Sequence, residues 1–63
     1  MTELQRMYNE ILVTLERGIN DLEKFEDGNM SAGTRVRKTM QTTKELAQKI
    51  RTTVQEQKNA VVA

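Results

Sequence analysis

The chain has 63 residues, of which 30% are charged and 37% are hydrophobic, and it contains no Cys, His, Trp or Pro. A chain this short buries only about 60% of the surface that its unfolded state exposes, so its own core is marginal. Disulfides and metals bound by His or Cys are excluded, which leaves self-association as the route to stability. Catalysis by a His or Cys base or nucleophile is excluded as well. We therefore expect no enzyme, no catalytic or metal site, no cofactor and no small-molecule substrate.

The first segment carries apolar residues at alternating intervals of four and three, the pattern of a coiled-coil seam. Its seam positions are Leu4, Tyr8, Ile11, Leu15, Gly18, Leu22 and Phe25. Met7, Leu12 and Ile19 flank this seam and widen it, so the helix has apolar surface for more than one neighbour. Thr2 suits the N-cap position, and we predict a helix over about residues 3–26.

A turn is predicted over about residues 27–30, because Gly28 suits the left-handed conformation that ends a helix. Ser31 then suits the cap of a second helix, predicted over about residues 31–60. Leu46 lies beside the seam of this second helix. The seam positions, again at four and three, are Val36, Met40, Thr43, Ala47, Ile50, Val54, Gln57 and Val61.

A short turn between two long helices makes them antiparallel neighbours. We therefore predict an all-α fold, a single domain formed by a two-helix antiparallel hairpin with heptad seams. One hairpin cannot cover both wide apolar faces, so we expect a homodimeric four-helix bundle in which Gly18, Gly33 and Ala47 allow close approach. The predicted oligomer interface consists of Leu4, Tyr8, Ile11, Leu15, Leu22, Phe25, Val36, Met40, Ala47, Ile50 and Val54.

The net charge of +1 hides a division between the two segments. Residues 1–28 carry three cations and seven acids, a net −4, whereas residues 29–63 carry seven cations and two acids, a net +5. Two interpretations of the basic segment remain: pairing with the acidic flank of a neighbouring helix, or contact with a phosphate backbone. Four of its cations recur every seven residues and form a stripe beside the seam: Arg37, Lys44, Arg51 and Lys58.

Three cations, Arg35, Arg37 and Lys38, fall in the opening turns of the second helix, where the helix dipole is itself positive. This placement is unfavourable unless an anion lies there, and free backbone N–H groups beside guanidinium groups favour a phosphate. Arg35 and Lys38 are three residues apart and share a face, while Arg37 begins the stripe. The alternative is neutralisation by the acids that precede the turn: Glu23, Glu26 and Asp27.

The run GNMSAGTRVRKTMQTTKELAQKIR, preceded by DLEKFED, resembles the linker-histone-like nucleoid proteins first known from chlamydiae. The resemblance extends over about residues 21–60 and implies a DNA-associated, nucleoid-organising protein with a helical-hairpin domain. The chlamydial members continue into a tail rich in Lys and Ala, whereas this sequence ends in NAVVA, so we expect a modest DNA surface. The matching positions are Glu23, Lys24, Gly28, Asn29, Ala32, Gly33, Arg35, Val36, Arg37, Lys38, Leu46, Ala47 and Arg51.

With this resemblance we expect a histone-like protein that contacts double-stranded DNA without sequence specificity and self-associates. The predicted DNA-binding residues are Arg35, Arg37, Lys38, Lys44, Arg51 and Lys58. No apolar run approaches the ~20 residues of a membrane span, and the first residues are acidic where a signal peptide is basic. We expect a cytoplasmic, nucleoid location in a bacterium or a phage-infected cell. The alternative is a coiled-coil structural or adaptor protein that oligomerises without nucleic acid.

Overall fold

The computed structural model describes the backbone of residues 1–62 and the side chains of residues 1–60. Two helices, α1 (Glu3–Glu26) and α2 (Met30–Val62), pack against each other in a hairpin of 53 × 19 × 11 Å. The predicted all-α, two-helix fold is confirmed. The predicted seam position Val61 lies outside the described side chains.

The N-terminus of α1 is closed by a capping box between Thr2 and Gln5. The Gln5 N–H donates to the Thr2 hydroxyl at 3.1 Å, and the Thr2 N–H donates to the Gln5 side-chain oxygen at 3.0 Å. Together they satisfy two N–H groups that the helix itself leaves without partners. The predicted N-cap at Thr2 is confirmed.

A turn of three residues, 27–29, reverses the chain between the helices. Gly28 has a φ of 103°, the one positive φ among the described residues. Its N–H donates to the carbonyl oxygen of Phe25 at 3.0 Å, and the Asn29 N–H donates to that of Lys24 at 2.9 Å. These are the two hydrogen bonds of a Schellman motif, which ends α1 and directs the chain back along it.

Asn29, rather than Ser31, caps α2. The side-chain oxygen of Asn29 accepts the Ala32 N–H at 3.2 Å, as an N-cap residue does. α2 therefore begins at Met30, and Ser31 lies within its first turn. The prediction of Ser31 as the cap was wrong because Asn29 both completes the Schellman motif and caps the next helix.

The contact between the helices is narrow and rich in small and threonine side chains. Among the described residues only Ala32 and Leu46 are buried, so Leu46 lies at the centre of the contact rather than beside it. The half-buried residues at the same contact are Leu4, Met7, Ile11, Thr14 and Gly18 on α1, and Thr39, Thr43, Ile50 and Thr53 on α2.

Two glycines allow this close approach within the hairpin. A Cβ on Gly18 would lie 3.0 Å from Cγ2 of Thr39, and a Cβ on Gly33 would lie 2.7 Å from Cδ1 of Phe25. The Thr39 hydroxyl donates to the carbonyl oxygen of Arg35 at 3.0 Å, so its polar group is satisfied within α2 while its methyl group meets Gly18.

The contact between Gly18 and Thr39 sets the register of the hairpin. In an antiparallel pair one residue number rises as the other falls, so the numbers of two level residues add up to about 57, the sum of 18 and 39. Leu4 is then level with Thr53, and α1 begins only one residue earlier, at Glu3. Residues 55–62 of α2 therefore extend about 12 Å past the end of α1.

We expect Gly28→Ala to lower the free energy of unfolding by about 1 to 2 kcal/mol, because a side chain is strained at positive φ. Crowding does not contribute, since a Cβ on Gly28 would meet no atom within 4 Å. Urea unfolding followed by circular dichroism at a fixed chain concentration measures the change. Gly28→Asn is the matched control and should lose less, because Asn tolerates this conformation. Equal stability of Gly28→Ala and the unchanged chain would contradict the left-handed turn.

Candidate nucleic-acid interface

One broad side of the hairpin is an uncovered apolar surface, which we name the open face. Its groove of about 330 Å³ is lined from both helices. The apolar side chains that line it are Leu12, Leu15, Ile19 and Leu22 on α1, and Val36 and Met40 on α2. Those of α1 are 39 to 52% exposed, so a single hairpin leaves about half of each in water.

The structure divides the predicted seams between two surfaces. Most members at intervals of seven, such as Leu4 and Ile11, are half-buried at the helix contact, but Phe25 is exposed and Val36 lines the open face. The members between them lie on the open side, where Tyr8 is 63% and Leu22 is 47% exposed. The helix contact is completed instead by residues one position earlier: Met7 and Thr14 on α1, and Thr39, Leu46 and Thr53 on α2.

Charges of opposite sign border the open face. Glu16 lines the groove from α1, and Glu23 follows it two turns later on the same edge. Arg37 borders the face from α2, where it lines an adjoining cavity with Leu22 and Phe25. Residues seven apart occupy equivalent positions on a packed helix. The α2 edge therefore carries Arg37, Lys44, Arg51 and Lys58, and the α1 edge carries Glu16 and Glu23.

Arg35 lies on the other edge of the hairpin and is paired within it. Its Nε donates to Oδ1 of Asp21 at 2.8 Å, and the two side chains are 48% and 22% exposed. The acids proposed as its alternative partners, just before the turn, are not in this pair. Lys38 and Lys49 follow Arg35 on the same side of α2, because three and fourteen residues are close to whole numbers of turns.

The three cations of the opening turns of α2 do not converge on one point. Arg37 borders the open face, whereas Arg35 reaches Asp21, and two residues correspond to about 200° around a helix. Arg35 is also the sixth residue of α2, beyond the first turn in which the dipole acts. The predicted arrangement of Arg35 and Lys38 around a phosphate at the helix end is therefore not assembled, because Arg35 is bonded to Asp21 and both cations lie beyond the first turn of α2.

The remaining cations of α2 form no ion pair within 4.0 Å in the part of the chain whose side chains are described. They are Arg37, Lys38, Lys44, Lys49, Arg51 and Lys58, and all are exposed. The basic flank is therefore not used against the acids of its own hairpin. Lys49 was missing from the predicted contacts, although its spacing of eleven residues from Lys38, close to three turns, places it on the same side.

The family model of the histone H1-like protein Hc1 matches residues 5–60. The match spans nearly all of both helices and includes every cation of α2. Comparisons with curated proteins and with solved structures gave no match. Within the described residues, neither helix combines the length and the apolar character that crossing a bilayer requires.

We expect the Arg35–Asp21 pair to contribute about 0.2 to 1 kcal/mol to stability, because both side chains are partly exposed to solvent. A double-mutant cycle of Arg35→Gln and Asp21→Asn measures this coupling. It should shrink towards zero at about 1 M salt, where the screening length is ~3 Å. The control cycle of Lys49→Gln and Asp21→Asn should show no coupling. A coupling independent of salt would contradict an electrostatic pair.

Proposed function

Because the chain belongs to the family of the histone H1-like protein Hc1, we propose that it binds duplex DNA through phosphates, without sequence preference, and organises DNA in a bacterial nucleoid. The observation that carries the proposal is the basic surface of α2. Seven cations stand against two acids in residues 29–63, and only Arg35 is paired within the described part of the hairpin. The family is one of histone-like proteins, which is not a class of enzymes.

Binding through phosphates suits these side chains. Each Lys or Arg that neutralises a phosphate releases a condensed counterion, which gives affinity without reading a base. Recognition of single strands by stacking is disfavoured, since the chain has one Tyr, one Phe and no Trp. Arg35 contributes less than the others because its Nε is already bonded to Asp21. The proposed contacts are Arg37, Lys38, Lys44, Arg51 and Lys58, with Lys49 added and Arg35 secondary.

We propose in addition that a second copy of the chain covers the open face and forms a four-helix bundle. Fully burying a Leu, Ile or Met side chain contributes about 1.5 to 3 kcal/mol. The side chains on the open face are about half exposed, so each has roughly half of this still to gain. This gain is larger than that of an exposed ion pair. Apolar burial therefore drives the proposed self-association.

We expect binding to a random-sequence duplex to fall linearly in log affinity against log salt, as phosphate contacts require. Arg51→Glu with Lys58→Glu should weaken binding for all sequences and reduce the slope by about one for each cation removed, or about four for a dimer that places both copies on one duplex. Fluorescence anisotropy from about 50 to 200 mM salt, a range in which phosphate binding weakens steeply, measures both effects.

The matched control for these variants is Arg6→Glu with Arg17→Glu. It changes the net charge equally, but at cations that line a cavity formed by α1 alone. It should retain most of the affinity. Absence of binding at the lowest salt would contradict the DNA proposal and leave a self-associating adaptor. Equal losses in both double variants would contradict a DNA surface on α2.

We expect Leu15→Ser with Leu22→Ser to shift the protein towards the 7.3 kDa single chain in sedimentation equilibrium. Both side chains lie on the open face, so the substitutions remove apolar contacts with a partner and leave the helix contact in place. Val13→Ser is the control, since Val13 lines the cavity on the opposite side of α1. Identical masses for the double variant and the unchanged chain would contradict the open face as the interface.

A further inference from the structure

We propose that the two copies pair with their turns at the same end, so that each α1 lies against α2 of the partner. This inference rests on the self-association proposed above and specifies its geometry. It also selects which cations remain for DNA. Closed dimers are usually two-fold symmetric, with the same patch used on both copies. With the helices of the two copies aligned along one direction, two open faces can meet in only two such ways.

The two ways differ in the direction of the symmetry axis. An axis parallel to the helices places α1 over α2 of the partner and both turns at one end. An axis across the helices, between the two faces, places α1 over α1 and α2 over α2, with the turns at opposite ends. Apolar burial is available in both arrangements, so the charges at the edges decide between them.

The edge charges favour the first arrangement. The α1 edge of the open face carries Glu16 and Glu23, and the α2 edge carries only cations. With α1 over α2, each acidic edge meets a basic edge, as at the flanks of a coiled coil. With like helices facing each other, the Arg37 and Lys44 rows of two copies would meet, and juxtaposed like charges oppose association.

The register of the hairpin brings these charges to matching heights. Rotation about an axis parallel to the helices causes no shift along them, so level residues of the two copies also have numbers that sum to about 57. Glu16 is then level with residue 41 of the partner, midway between Arg37 and Lys44, about one turn from either. Glu23 is level with residue 34, three residues from Arg37 and so about 4.5 Å away along the axis.

The C-terminal half of the basic stripe, Arg51 and Lys58, has no acidic partner in this dimer. Asn9 precedes Glu16 by seven residues and is the uncharged member of the α1 edge, level with residue 48 of the partner. Arg51 lies just beyond that level, and Lys58 lies on the part of α2 that extends past α1. Both copies place these two cations at the same end. The dimer thus presents two parallel α2 ends to one duplex, rather than one DNA surface at each end of a rod.

A distance measurement between two labels decides the arrangement. The chain has no Cys, so Asp27→Cys introduces one spin label per copy, at the turn. With the turns at the same end, the labels lie within about two helix spacings, roughly 20 Å. With the turns at opposite ends, they are separated by at least the length of α1, roughly 36 Å. Asn59→Cys in the extended end of α2 repeats the test and should also give the shorter distance.

A charge swap tests the cause of the arrangement. Glu16→Lys with Glu23→Lys should weaken dimerisation about tenfold at low salt, and adding Arg37→Glu with Lys44→Glu should restore it. The control is Glu3→Lys with Glu10→Lys, an equal change at residues also seven apart but on the far edge of α1, which should have no effect. Failure of the second pair to restore the dimer would overturn the inferred charge contacts.

Each outcome bears on a defined part of the proposal. Long distances at both label positions overturn the same-end arrangement while leaving self-association in place. A chain that stays monomeric at the concentration used for labelling overturns both the arrangement and the proposed self-association. Short distances without binding to duplex DNA support the arrangement and overturn the DNA function alone, because the two measurements are independent.

Discussion

The close crossing of α1 and α2 at Gly18 and Thr39 is the constraint on which the rest of the structure depends. With only 3.0 Å between a Cβ on Gly18 and the Thr39 methyl group, the helices approach too closely at this level for a large side chain to stand between them. Thr39 and Thr43 suit this contact because their hydroxyls donate to backbone carbonyl oxygens of α2 and leave the methyl groups for packing. Next to this level, Leu15, Ile19 and Leu22 of α1 lie to one side of the contact and line the open face.

The same crossing determines where the charges lie. Because the contact is narrow, each helix keeps two free edges, and the charges on those edges are sorted by sign. The open face is bordered by acids on α1 and by cations on α2, whereas the other edge is mixed and holds the pair of Arg35 and Asp21. A net charge of +1 therefore coexists with a strongly basic edge.

Helix type and hairpin topology could be predicted from the sequence because they depend on local signals. The heptad spacing, the Thr2 cap and Gly28 each have one structural interpretation. The sides by which the two helices face each other could not be predicted from the spacing. Leu15 and Leu22 fit the four-three pattern, yet they lie on the open face. The helix contact contains Met7 and Thr14 instead. Hydropathy favours leucine at a buried seam, as at Leu46, but at the level of Gly18 the close approach of the helices favours the small side chain of Thr39.

The candidate site shows the same limit. The basic character of the second segment followed directly from counting charges, but the partner of Arg35 is fourteen residues away in sequence and depends on the packing of the two helices. The start of α2 likewise depended on Asn29 serving two roles at once. Spacing alone grouped Arg35 with Lys38 at the helix end, whereas both lie more than a turn into α2 and Arg35 is bonded to Asp21 of α1.

Self-association and DNA binding, as proposed, draw on one row of cations, and the register separates the two uses. Arg37 and Lys44 lie where α1 of a partner brings acids, whereas Arg51 and Lys58 lie at the end where α1 stops. Two weak sets of phosphate contacts held together act by effective concentration, so a dimer binds far more tightly than either copy alone. Salt then weakens the phosphate contacts directly, while apolar burial on the open face preserves the dimer. For the proposed dimer we therefore expect salt to release DNA before it dissociates the two copies.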